Sequence, residues 1–264
     1  MLEDWLGARL FDRMGGRLEL TAVGSIFHKR VSVSLVELAS ATADLLGQMR
    51  SEKVRLWSVP GLAFHWLSEC LADFSERFPG SEIELRPSEV AADLNLMEAD
   101  ADIRFYGDAW QYVPVGRQLR SFELARPWTY PVATPRVASC FAAAESARAL
   151  LEAPLLHEES RHEWTNWFAL NGIHVPDQLP GALHWHAHLA IAAARQGRGV
   201  ALANDLLVGR DLQEGTLVKV TPPGSQPVNL GAYVLIARAD RWQSPPILRL
   251  RRFLHQRATL LLDR

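Results

Sequence analysis

The chain has 264 residues, of which 48% are hydrophobic, and a formal net charge of −2. That length and apolar content support a real core in one large or two ordinary domains, while the near-neutral charge gives no global pull toward nucleic acid or an anionic membrane. The two cysteines, Cys70 and Cys140, have no metal or redox spacing, so two buried thiols in a reducing cytosol are expected.

In chain order, Leu2, Leu6 and Leu10 suit a short helix that runs into Leu10-Phe11. Gly15-Gly16 is a tight-turn signal between Phe11 and Leu18/Leu20, and Arg9, Arg13 and Arg17 punctuate the resulting hairpin. Thr21 is the expected N-cap of a long helix over residues 22–49. Val23, Phe27, Val31, Ser34, Leu38, Ala41 and Leu45 step by three and four along it, and Ile26, Val33, Leu35, Val36, Leu46 and Met49 widen the stripe. Packing against its own domain is one reading. Dimerisation is preferred, because so wide a stripe does not suit an isolated helix in water. Residues 1–50 carry six Lys/Arg against six Asp/Glu, a local neutrality that weighs against strong autonomous DNA binding.

A polar hinge at residues 51–53 precedes strand 54–59, helix 63–78, strand 83–86, short helix 91–98 and strand 101–105. Extended runs follow at 115–119 and 122–128. The chain then crosses into a second subdomain through 128–133. There the pattern predicts helix 146–151, strand 155–157, helix 161–170, strand 182–185, helix 188–196 and strand 199–203. Asn204 or Asp205 caps a helix toward Leu212, and 217–220 is extended. Strand 230–237 returns to the first subdomain, and 245–262 is a final helix with a basic outer face. Alternating strands and helices argue for parallel sheets that carry ligands at the carboxyl ends of their strands.

The N-terminal stretch resembles the LysR-type transcriptional regulators through Leu6-Gly7, Leu10-Phe11, Arg13, Arg17, Leu20-Thr21 and Gly24, which match L-G-x-x-L-F-x-R followed by R-x-x-L-T-x-x-G. Pro154-Leu155-Leu156-His157-Glu158 with Trp164 and Trp167, and Gln196 to Leu202, resemble the glycine-cleavage-activator branch of that family. The resemblance implies residues 1–21 as the end of a recognition helix and its wing, and 22–50 as a linker and dimerisation helix. It implies 51–264 as an effector domain like the periplasmic solute-binding proteins, with lobe I at 54–130 and 232–264 and lobe II at 131–231. Family members carry about 30 further residues ahead of Leu2, where the base-reading helix lies. A chain starting at Met1 is therefore expected to keep the wing and lack the reading head, which puts DNA binding in doubt. A small-molecule effector, a homodimer or tetramer and a cytoplasmic location complete the implied picture. The alternative is a ligand-binding or hetero-dimerising protein without sequence-specific DNA binding.

The candidate effector contacts fall at strand ends. Ser58, Pro60 and Gly61 mark a helix start whose free N–H groups attract anions. Tyr106 and Trp128 are candidates for an aromatic wall or for core. Glu158, with Glu159 and Ser160, either favours a helix N-terminus or contacts ligand. The resemblance puts Trp185 and His186 at the mouth of the cleft, and Asn204 closes another strand. His184, His186 and His188 invite a metal reading, but a helix beginning near Ala187 keeps the three off one face, so no metal and no cofactor are expected. Arg9, Arg13 and Arg17 are the candidate DNA contacts. No G-x-S-x-G, H-E-x-x-H or P-loop occurs, and Gly197-x-Gly199 is too short for a dinucleotide fingerprint, so no enzyme is expected.

Overall fold

In a computed structural model of the protein, the structure describes residues 2–14, 17–28, 30–31, 34–35, 53–107, 118–176 and 179–263. The chain divides into two compact units, Met1–Ser51 with Asp93–Glu98, and Glu52–Ala92 with Ala99–Arg264.

In the first unit, helix Leu2–Leu6 leads into the antiparallel pair β1 (Phe11–Met14) and β2 (Arg17–Leu20), with Phe11 opposite Leu20. The expected Gly15-Gly16 turn lies outside the described residues. Thr21 caps the next helix: its Oγ1 accepts the Gly24 N–H at 2.8 Å and donates to the Arg9 carbonyl at 2.8 Å. Residues 22–28, 30–31 and 34–35 are helical, and Val23, Ile26 and Leu35 are exposed there. The remainder of the helix expected to residue 49 lies outside the described residues. The short helix expected over 91–98 does not form. Asp93 Oδ1 instead accepts the N–H groups of Asn95 (3.0 Å) and Leu96 (3.1 Å), a local turn that competes with helical hydrogen bonding.

The second unit is built on two five-stranded sheets. Lobe I contains β3 (Val54–Ser58), β4 (Ile83–Pro87), β5 (Ala101–Tyr106), β6 (Leu119–Ala125) and, from the far end of the chain, β12 (Ala232–Arg238), in the order β4-β3-β5-β12-β6. Lobe II contains β7 (Thr129–Ala133), β8 (Leu155–His157), β9 (Ala182–Leu183), β10 (Val200–Asn204) and β11 (Val218–Lys219), in the order β11-β7-β10-β8-β9. The chain crosses between the sheets twice, from β6 to β7 and from β11 to β12. Both sheets are mixed rather than parallel. β3, β4 and β5 run parallel, but β12 is antiparallel to β5 and β6, and β7 is antiparallel to β10. β7 and β12 enter from the other sheet, so no helical crossover constrains them to run parallel.

Each helix start has a local cause. Pro60 opens the first lobe I helix earlier than the apolar pattern suggests, since its fixed φ and missing N–H cost nothing at a first helical position. This helix runs through Pro60–Leu62, a wide π-helical turn at Ala63–Leu67 and Ser68–Arg77. In lobe II, Thr134 caps an unexpected short helix, Pro135–Ala138, and the segment expected as helix 146–151 is a 3₁₀ run, Ala147–Glu152. Asn204 caps Asp205–Glu214 by accepting the Leu206 N–H at 3.1 Å. Asn204→Ala is expected to cost about 1 kcal/mol in urea unfolding through the lost cap. Pro245–Leu262 closes the chain as helix, packing Ile247, Leu250, Phe253 and Leu254 into the lobe I core.

The lobe II core is aromatic. Trp164 and Trp167 of helix His162–Leu170 are fully buried with ring centroids 5.8 Å apart, and Trp164 Nε1 donates to the Leu156 carbonyl at 3.2 Å. That bond ties the helix to β8, the strand that Glu158 follows. Of the two thiols, Cys70 is buried but Cys140 is exposed, because its short helical segment, Ser139–Phe141, lies on the surface.

Candidate functional site

Strands β3, β5, β8 and β10 end around one cleft of about 440 Å³ in the second unit. Gly61, Tyr106, Glu158, Trp185, His186 and Asn204 line it, and the sequence had singled out all six. Ser58, Pro60 and Trp128 are not among the lining residues. Ser58 is fully buried, with its hydroxyl 3.3 Å from the Val59 carbonyl. Trp128 is 57% exposed outside the cleft, and its neighbour Thr129 faces inward instead. Arg9 is exposed on the first unit, whereas the side chains of Arg13 and Arg17 lie outside the described residues.

Glu89, Arg104, Thr129, Glu163 and Tyr233 also line the cleft and were not anticipated as contacts. One of them carried a signal. Asp102 and Arg104 interrupt an otherwise apolar strand, and charges inside a buried strand require partners. Their side chains, 3% and 7% exposed, pair at 3.0 Å. Arg104 also donates from Nη1 to the Glu89 carbonyl at 2.8 Å and from Nη2 to the Val90 carbonyl at 2.6 Å. Asp102 Oδ2 accepts the Ala92 N–H at 3.0 Å. The pair thus staples the segment after β4 to the sheet and sets Glu89 at the rim. No motif marks the other residues.

Across the cleft from β5, the segment after β9 makes a three-residue turn. The His186 N–H donates to the His184 carbonyl at 2.7 Å, which holds Trp185 at φ 63°. That left-handed backbone is unusual for a bulky residue and indicates strain of a kind that gathers at ligand sites. The turn leaves the Trp185 indole 67% exposed over the cleft. His186 Nδ1 lies 2.7 Å from Glu89 Oε1, joining the lobes at the rim. On the cleft floor the two lobes touch at Gly61, where an added Cβ would sit 3.1 Å from Ala187 Cβ. A second bridge uses Arg195, which grips Asp211 at 2.7 and 2.8 Å and approaches His65 Nδ1 at 3.4 Å. Burial and the Arg195 guanidinium hold His65 at about 4, so it is neutral at physiological pH.

The cleft is acidic. Burial, reinforced by Glu163, Glu89 and Glu159, pushes the Glu158 carboxyl up to about 8. Burial likewise raises Tyr106, with a contribution from Asp102. Among the described residues, no group of three or more His, Cys, Asp or Glu side chains is arranged to hold a metal ion. No helix among them is long and apolar enough to cross a membrane.

Residues 47–259 match the family model described as the LysR substrate binding domain. The glycine cleavage system transcriptional activator of Escherichia coli K12 is 26% identical over 258 residues, covering 97% of this chain and 82% of that protein. The HTH-type transcriptional regulator TrpI of Pseudomonas aeruginosa is 33% identical over 221 residues, covering 82% of this chain and 72% of that one. Among solved structures, the effector domain of the transcriptional regulator AmpR of Pseudomonas aeruginosa is similar, with a TM-score of 0.65 and 25% identity over 81% of this chain and 98% of that chain. The two-lobed, periplasmic-binding-protein-like architecture and the family match agree. The chain belongs to the LysR family of transcriptional regulators and carries their effector-binding domain.

Proposed function

We propose that a small-molecule effector binds in the cleft between the lobes, contacted by Gly61, Tyr106, Glu158, Trp185, His186 and Asn204, with Thr129 and Tyr233 added from the structure. The observation that carries this reading is the cleft itself. It is roomy enough for a metabolite and lies where the strands of both sheets end. Effector binding changes the protein only if one arrangement of the lobes binds it more tightly than another. The bridges His186–Glu89 and Arg195–His65 cross the lobe boundary and are the contacts such a rearrangement would alter.

DNA contact is proposed for the hairpin, through Arg9, Arg13 and Arg17, and self-association for the helix that begins after Thr21. Exposed Val23 and Ile26, three residues apart on one side of that helix, supply apolar surface suited to a second copy. A cytoplasmic location and a regulatory rather than enzymatic role accord with the family. Arg17→Ala is expected to weaken binding to every DNA sequence and to reduce the salt slope by about 1. An unchanged slope in fluorescence anisotropy titrations would remove Arg17 from the phosphate contacts.

The effector site is tested by screening metabolites for thermal stabilisation of the full chain. Trp185→Ala is expected to reduce the response to a hit, and Trp128→Ala to leave it intact. The reverse pattern would move the site away from the cleft.

A further inference from the structure

Two helix N-termini, at Gly61 and Ala187, border the cleft, and such termini ordinarily attract anions. Here the surroundings oppose that attraction. Pro60 removes one donor from the first terminus, and Gly61 abuts Ala187 across the lobes. At the second, the Glu89 carboxylate already stands beside the terminus, 2.7 Å from Nδ1 of His186 at the N-cap position. Arg104 is the cleft's arginine, and its guanidinium is engaged by Asp102 and two carbonyls. Against it stand four carboxyls, Glu89, Glu158, Glu159 and Glu163.

A second observation is independent of charge. Thr129 is 6% exposed and lines the cleft, and its hydroxyl takes no hydrogen bond among the described residues. The Glu158 carboxyl likewise has no hydrogen-bond partner among them. The cleft therefore offers an unused carboxyl and an unused hydroxyl, both able to accept, together with the aromatic side chains of Trp185, Phe105 and Tyr106. An ammonium group carries three donors and no acceptor, and it is attracted to aromatic faces.

We propose that this cleft selects an organic cation bearing at least one primary ammonium group, held by Glu158 and Glu163 beneath the Trp185 indole. The proposal rests on the reading of the cleft as the effector site and adds the chemical class of the effector. It also makes binding depend on pH. Glu158 is faced by Glu159 on its own segment, Glu163 from helix His162–Leu170, and Glu89 with His186 at the rim. Arg104 and Tyr106 from β5 and Tyr233 from β12 complete its surroundings. Of these only Arg104, already paired, is a fixed cation, so an incoming ammonium favours the ionised carboxyl. Affinity rises as Glu158 loses its proton near 8.

The test is calorimetric titration of the full chain with putrescine and agmatine, with size-matched succinate and with 1,4-butanediol. Both amines are expected to bind, more tightly at about pH 9 than at about pH 7. Glu158→Gln should weaken them by about tenfold or more and flatten the pH dependence, and Glu163→Gln should weaken them less. Trp185→Ala should weaken them several-fold. Circular dichroism verifies that the variants are folded. Succinate binding that Trp185→Ala removes, with no amine binding, would overturn the cation proposal and leave the effector site standing. Amine binding that Glu158→Gln leaves unchanged would also overturn it. No binding by these probes or by any metabolite of a broad screen would overturn the proposal together with the effector-site reading.

Discussion

Asp102→Ala is expected to destabilise the protein by about 3–5 kcal/mol, the cost of leaving a buried charge without its partner. The Arg104 guanidinium, 7% exposed, would lose its Asp102 counterion while still held in the sheet. The Ala92 N–H, which Asp102 Oδ2 accepts at 3.0 Å, would lose its acceptor as well. Urea unfolding followed by circular dichroism measures the change. A double variant, Asp102→Ala with Arg104→Leu, is expected to recover a large part of the loss, since removing both charges also removes the stranded ion. It should not recover the cleft. Arg104 donates to the Glu89 and Val90 carbonyls, so without it the segment that sets Glu89 at the rim is untied. A single variant within about 1 kcal/mol of wild type would mean that the pair is far less isolated from water than its burial indicates.

Glu158→Gln is expected to stabilise the protein in alkaline solution, and the sign follows from linkage. The native carboxyl holds its proton up to about 8, whereas the unfolded chain loses it near 4.5. Between those values the native state binds more protons than the unfolded state, so wild-type stability falls as pH rises through the window and levels off above it. Each pKa unit is worth about 1.4 kcal/mol, and access of cleft water to the carboxyl reduces the total to roughly 2–4 kcal/mol. Glutamine has no proton to lose. The variant should match wild type near the bottom of the window and exceed it increasingly toward the top, as read by thermal melts across pH. A constant offset at every pH would show that the carboxyl is not held protonated by its surroundings.

The substitution thus separates two properties of one residue. Burying a carboxyl among other carboxyls costs stability, and amine binding is the use proposed for the charge. The stability gain of the glutamine variant and its loss of amine binding are expected together.

Much of the local structure was legible because its causes are local. Thr21 caps the helix after the hairpin because its hydroxyl reaches an N–H three residues on. Leu155–His157 is a strand because a short apolar run there is bounded by Pro154 and Glu158, and Pro245 opens a helix whose apolar period runs to Leu262. The segment after Ala91 was misjudged because Asp93 satisfies nearby N–H groups itself, a competition that apolar spacing does not register. Pairing direction was also not local. β12 lies antiparallel between β5 and β6 because it returns from the other sheet, not because of anything in its own residues.

By itself, then, the sequence determined the family, most strand and helix positions and several of the strand ends that border the cleft. It did so because periodicity, capping and short motifs are properties of neighbouring residues. The tertiary structure decided which polar side chains share the cleft. Glu89, Glu158 and Glu163 converge from both lobes, and Thr129 rather than Trp128 turns inward. It also decided that Arg104 is spent on Asp102 and on carbonyls, which leaves the cleft acidic. Cleft residues obey no period, and their charges act through space, so their sum exists only once the two sheets have brought them together.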